Sequence, residues 1–201
     1  MPDEKKPTIL QVQQKTKPEI DGFITEHLDG GLKANAQEFV AWLRANKMPP
    51  RWDGRINTWR SVCIGKPICT IQISVFHMTG GHRGFFDDRP GRPPCWVIRP
   101  RLDNRESYIK SIMEEGLQDL VWDNAMHCVY SEKTATPGLG CSPGKPCAPG
   151  RDATVLGKTV TNVCCGHFLL QLWNPDDITL KNVKRLLELE LKARFEKPKN
   201  T

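Results

Sequence analysis

The chain has 201 residues, within the reach of one large domain, and 38% hydrophobic residues with six Trp and seven Phe supply enough bulky material for a packed core. No apolar run approaches the roughly 20 residues that span a bilayer, which argues against a membrane partner. The formal net charge of +6 is scattered over Arg44, Arg51, Arg55, Arg60, Arg83, Arg89, Arg92, Arg99, Arg101 and the C-terminal lysines, so nucleic acid is disfavoured as a partner.

Residues 1–19 are polar, broken by Pro7 and Pro18 and wetted by Lys5, Lys6, Lys15 and Lys17, which predicts a flexible N-terminal arm ahead of a single α+β domain over 20–201. The arm lacks the apolar stretch of an export signal, so the expected compartment is the cytoplasm, where eight Cys stay reduced rather than pairing. Residues 20–28 predict a short helix stopped by Gly30-Gly31. Asn35 as N-cap, with Glu38 three residues on, predicts a second helix carrying Phe39, Val40, Trp42 and Leu43, ended by Met48-Pro49-Pro50.

The period then changes from helical to alternating. Segments 58–63 and 68–78, separated by Gly65-Lys66-Pro67, predict a β-hairpin. In the second segment Ile71, Ile73, Val75 and His77 alternate with Gln72, Ser74, Phe76 and Met78, and apolar residues reach both faces, so this strand is expected at the centre of a sheet. Residues 79–94 read as a Gly-rich loop and 95–98 as a third strand. Asp103 or Asn104 starts helical sequence in which Tyr108, Ile109, Ile112 and Met113, then Leu117, Leu120, Val121 and Trp122, face inward. A long Gly/Pro loop covers 131–151, strands are predicted at 154–163 and 168–172, and Gly157-Lys158 marks a turn or bend. In the last helix Asn174 caps, Pro175 takes the first position, Asp176-Asp177 meet the positive dipole end, and Leu180, Val183, Leu187 and Leu191 form the buried stripe. The fold expected from this order is α+β: an antiparallel sheet of about five strands with helices 104–127 and 175–195 packed on one face, plus a cysteine-anchored loop.

Cysteine placement is the one chemical signal. Cys128, Cys141, Cys147 and Cys164 bracket the 131–151 loop, whose only large apolar residue is Leu139. Four thiolates can hold a structural Zn²⁺ and give such a loop the folding free energy it otherwise lacks, which makes 128–165 a candidate zinc-binding insert. The spacing Cys141-x5-Cys147 is looser than a zinc knuckle, and Cys165, His127 and His167 are alternative ligands. On an extended strand His167 shares a face with Cys165 while Cys164 points the other way. Buried reduced thiols and a redox-sensing disulfide are the competing readings. Cys63, Cys69 and Cys95, on predicted strands, read as packing residues.

The sequence carries no P-loop, no dinucleotide glycine fingerprint, no Gly-x-Ser-x-Gly and no His-Glu-x-x-His. Nor do Asn57-Thr58-Trp59, Cys164-Cys165-Gly166-His167-Phe168 or Trp173-Asn174-Pro175-Asp176 match a motif with known chemistry. The functional expectation is a module binding a small molecule or effector, with Trp52, Trp59, Trp96 and Arg99 as candidate ligand-binding residues. The alternative is a hydrolytic or metal-dependent enzyme using His77, His82, Asp87 and Asp88 in the Gly-rich loop. Oligomeric state leaves no mark in this pattern.

Overall fold

The computed structural model describes residues 6–74, 95–125, 151–163 and 170–196. Its first element is a helix, α1 (Ile9–Thr16), inside the stretch expected to be a loose arm. The reason is a capping box: the Gln11 N–H donates to Thr8 Oγ1 at 3.3 Å and the Thr8 N–H donates to Gln11 Oε1 at 2.8 Å. Gln13 anchors this helix. It is only 5% exposed, it accepts the Asn57 N–H at 2.9 Å and it donates from Nε2 to Asn57 Oδ1 at 2.5 Å.

Helix α2 (Ile20–His27) stands where expected, and α3 (Gly30–Ala45) begins at the glycine pair predicted to stop its predecessor. Asn35 is therefore inside α3 and caps nothing: its Nδ2 donates to the Pro175 carbonyl at 3.1 Å, and Glu38 pairs with Lys184. Both side chains tie α3 to the C-terminal helix instead of closing a capping box.

Strands β1 (Arg51–Trp52), β2 (Thr58–Cys63), β3 (Lys66–Ser74) and β4 (Cys95–Pro100) follow. After them come a 3-10 turn (Arg105–Tyr108), α4 (Ile109–Glu114) and α5 (Gln118–Asp123), separated near Gly116 at φ 68°. Strands β5 (Arg151–Val155) and β6 (Lys158–Val163), a short β7 (Leu172–Trp173) and α6 (Asp177–Glu196) complete the described elements. The fold is α+β, with a five-stranded antiparallel sheet in the order β1-β2-β3-β4-β7 and β3 at its centre, as predicted. Segment 154–163, expected as a single strand of that sheet, is instead most of a separate hairpin, β5-β6. Leu156 and Gly157, at φ 49° and 78°, form the tight turn between its arms, the left-handed pair that a two-residue hairpin loop requires.

One face of the sheet is the core face. Cross-strand partners share a face, and the row Trp52, Trp59, Ile71, Ile98, Leu172 crosses all five strands. Helices α2 and α3 cover it. Phe23 meets Trp59 edge-on at 5.1 Å, Phe39 lies 6.2 Å from Trp96 between ring centroids, and the Trp59 indole N–H donates to the Pro18 carbonyl at 2.8 Å. Each large side chain fully buried here contributes about 1.5–3 kcal/mol relative to exposure.

The C-terminal helix is fixed by a buried polar cluster. Glu190 has 0% exposure and accepts from Tyr108 Oη (2.7 Å), Asn104 N (3.0 Å), Asn104 Nδ2 (2.8 Å) and Arg194 Nε (2.7 Å). Arg194 in turn donates to the carbonyls of Cys63, Lys66 and Pro67 at the β2–β3 turn, locking α6 to the sheet. The cap of α6 is Asp176, whose Oδ1 accepts the Thr179 N–H at 2.8 Å. Asn174, expected in that role, sits at φ 43° and extends the strand ladder: it accepts the Trp96 N–H on Oδ1 and donates its own N–H to the Trp96 carbonyl, both at 2.9 Å.

Candidate anion-binding face of the sheet

Side chains alternate along a strand, so every residue between two core positions emerges on the opposite face. On that face the register aligns Arg51, Arg60, Thr70 and Arg99 in one row across β1 to β4. Beside it runs a second row, Thr58, Gln72, Val97 and Trp173, across β2 to β7. With strands about 4.8 Å apart, the arginine row spans about 14 Å.

Like charges directly opposite one another destabilise a sheet, and Arg51 faces Arg60. The carboxylate that relieves this among the described residues is Asp53, which accepts from Arg60 Nη2 at 3.0 Å and from Arg55 Nη2 at 2.5 Å. Arg51 has no ion pair among the described residues. Arg55 and Arg60 thus share one carboxylate beside Arg51. Arg99 lies deeper, 7% exposed, and donates from Nη1 to Gln72 Oε1 at 2.9 Å. Burial, and then the charge of Arg55, lower its pKa to about 10. Val97 beside it is fully buried, whereas Trp173 on the edge strand is 44% exposed and Arg51 is exposed. On this face Val97 and Arg99 are thus buried, whereas Arg51, Arg60 and Trp173 are accessible.

The four candidate ligand residues do not lie together. Trp52, Trp59 and Trp96 occupy the helix-covered face, with Trp59 and Trp96 at most 1% exposed, and Arg99 occupies the other. Arg51, Arg60, Gln72 and Trp173 were not singled out from sequence as site residues. The available signal was alternation: Thr58 and Arg60 flank Trp59, and Val97 and Arg99 flank Ile98.

Cys128, Cys141, Cys147 and Cys164, with Cys165, His127 and His167, lie outside the described residues, as do His77, His82, Asp87 and Asp88. Among the described residues no three His, Cys, Asp or Glu are placed to hold a metal ion. Cys63 and Cys69 are buried strand residues, as expected. Burial pushes the Cys69 thiol up to about 12 and raises that of Cys63, so neither is poised as a thiolate. No described helix is long and apolar enough to cross a membrane. No family model, curated protein or solved structure matches the chain.

Proposed function

We propose that this protein is a binding module for a small anionic ligand, held on the sheet face opposite the helices. The observation that carries the reading is the register that aligns Arg51, Arg60 and Arg99 in one row with Gln72 alongside. Guanidinium groups bind carboxylate and phosphate oxygens through paired N–H donors, and a desolvated guanidinium at the floor of a site holds an anion more strongly than one in water. The Trp52, Trp59 and Trp96 side chains then contribute packing, and Arg99 remains a ligand contact. Nucleic acid and membranes are not partners in this reading.

Thermal unfolding against a panel of phosphate, sulfate and small carboxylates at low ionic strength tests it. An anion present at 100 times its Kd should stabilise the protein by about 2.7 kcal/mol. Arg99→Gln should abolish most of that gain. A panel in which no anion shifts the wild-type transition overturns the proposal.

A structural Zn²⁺ on Cys128, Cys141, Cys147 and Cys164 belongs to the same proposal, supported by the Gly/Pro-rich composition of residues 131–151, which leaves them little apolar material of their own. Elemental analysis of protein purified without chelator should then give close to one zinc per chain, lost in Cys147→Ser. Metal-free wild-type protein would remove the zinc.

A further inference from the structure

Arg51, Asp53, Arg55 and Arg60 share the β1–β2 end of the arginine face. Arg51 and Arg60 are directly opposite one another on neighbouring strands, which puts their Cβ atoms about 4.5–5.5 Å apart. The Asp53 N–H donates to the Thr58 carbonyl at 3.1 Å and carries the ladder one residue beyond β1, so Asp53 is on the same face as Arg51, two residues along. Its carboxylate is nevertheless committed elsewhere. It accepts the Arg55 backbone N–H at 3.2 Å, Arg55 Nε on both oxygens at 3.1 Å, Arg55 Nη2 at 2.5 Å and Arg60 Nη2 at 3.0 Å. The Asp53 side chain is 1% exposed, so its charge is used inside the turn. Arg60, 42% exposed at its side chain, keeps Nε and Nη1 without an acceptor among the described residues, and the exposed Arg51 keeps its whole guanidinium group.

The charges of this corner do not balance. Asp53 offsets one of three guanidinium groups and leaves two positive charges, with Arg51 facing a like charge across the strands. A carboxylate or a phosphodiester, each a monoanion, answers one of them. The dianion of a phosphate monoester answers both. Its shape suits the corner as well. The two oxygens of a carboxylate are taken up by a single guanidinium fork, whereas the three terminal oxygens of a phosphate monoester can accept from Arg51 and from the open edge of Arg60 together. Such a dianion also screens the repulsion between the two arginines, which a monoanion does only in part.

We infer that the ligand of this face is a small molecule ending in a phosphate monoester, held as its dianion between Arg51 and Arg60 in preference to carboxylates and phosphodiesters. This rests on the anion-binding reading above and adds to it the headgroup and charge of the ligand.

Calorimetric titration of the full chain with methyl phosphate, dimethyl phosphate and acetate at low ionic strength tests the charge separately from anion binding as such. At about pH 8 methyl phosphate is a dianion, since the second proton of a phosphate monoester leaves near about pH 6, and the other two are monoanions. Methyl phosphate should bind at least about tenfold more tightly than either. Arg51→Gln removes one of the two uncompensated charges at an exposed position with no ion pair among the described residues, so the fold is kept. It should bring methyl phosphate to within about threefold of dimethyl phosphate, while Arg51→Lys, which keeps the charge and loses the fork, retains part of the preference. Equal binding of methyl and dimethyl phosphate by wild type, or a preference that survives Arg51→Gln, overturns the dianion site and leaves anion binding intact. No binding of any of the three, together with no binding of inorganic phosphate, overturns both.

Discussion

Glu190 has no exposed surface, and a carboxylate in that position survives only because every side of it is met by a donor. Tyr108, Asn104 and Arg194 supply them, and burial together with Glu190 raises the Tyr108 hydroxyl pKa far enough to keep it a donor at any working pH. Removing the carboxylate leaves the buried Tyr108 hydroxyl and Asn104 donors without their acceptor and takes from Arg194, 5% exposed at its side chain, one of its two carboxylate partners, Asp103 being the other. Glu190→Ala should therefore cost about 3–5 kcal/mol, read as a fall in Tm of roughly 10 °C. A change within a degree of wild type would mean that the cluster adds nothing to stability. The Asp21–Arg44 pair behaves differently, because both partners are about half exposed. The Arg44 guanidinium hydrogen-bonds the Asp21 carboxyl and lowers its pKa below 3.8. A depressed folded-state pKa stabilises above the unfolded value and is lost as pH falls through the folded one. Asp21→Asn should thus lower Tm slightly near pH 6, by no more than about 1 kcal/mol equivalent after solvent screening, and the two proteins should converge as pH falls through the lowered Asp21 pKa. A gap that widens on acidification contradicts this assignment.

At the scale of elements, the parts that were legible in the sequence carry long, consistent patterns. The β2–β3 hairpin was readable from the glycine turn and the alternation of Ile71 and Ile73 with Gln72 and Ser74, and α6 from Leu180, Val183 and Leu187. The parts that were missed are short or are settled by distant partners. Strands β1 and β7 have two residues each, too few to set a period. Asn174 looks like an N-cap in isolation, and only the nearby edge of β4 redirects it to Trp96. Helix α1 was hidden by lysines and prolines, although Thr8 and Gln11 spelled a capping box. Its attachment runs mainly through Gln13, so Gln13→Ala should expose α1 to limited proteolysis and destabilise by about 1–3 kcal/mol by leaving the buried Asn57 N–H without its acceptor. Unchanged cleavage in the first twenty or so residues would show that α1 is held by other contacts.

Across the whole molecule, the sheet divides labour between its faces. The helices take the tryptophans, and the opposite face takes the arginines. Sequence reading grouped Trp52, Trp59 and Trp96 with Arg99 because residue type suggests a pocket but says nothing of pleat. Which residue faces which way follows from strand register, and register follows from the successive pairings of β1 with β2, β2 with β3, β3 with β4 and β4 with β7, the last two joining segments remote in sequence. Once the register is fixed, Arg51, Arg60 and Arg99 fall in one row across the sheet, and Trp173, not the buried tryptophans, is the more exposed ring on that face among the described residues. The most direct test is a calorimetric titration of inorganic phosphate into wild type and into the double variant Arg51→Gln/Arg60→Gln, both at low ionic strength. Wild type should show saturable binding, and the double variant, with two guanidinium partners removed, should bind at least about tenfold more weakly. Equal affinities in the two proteins, or no saturable heat in wild type, would contradict an anion site on this face.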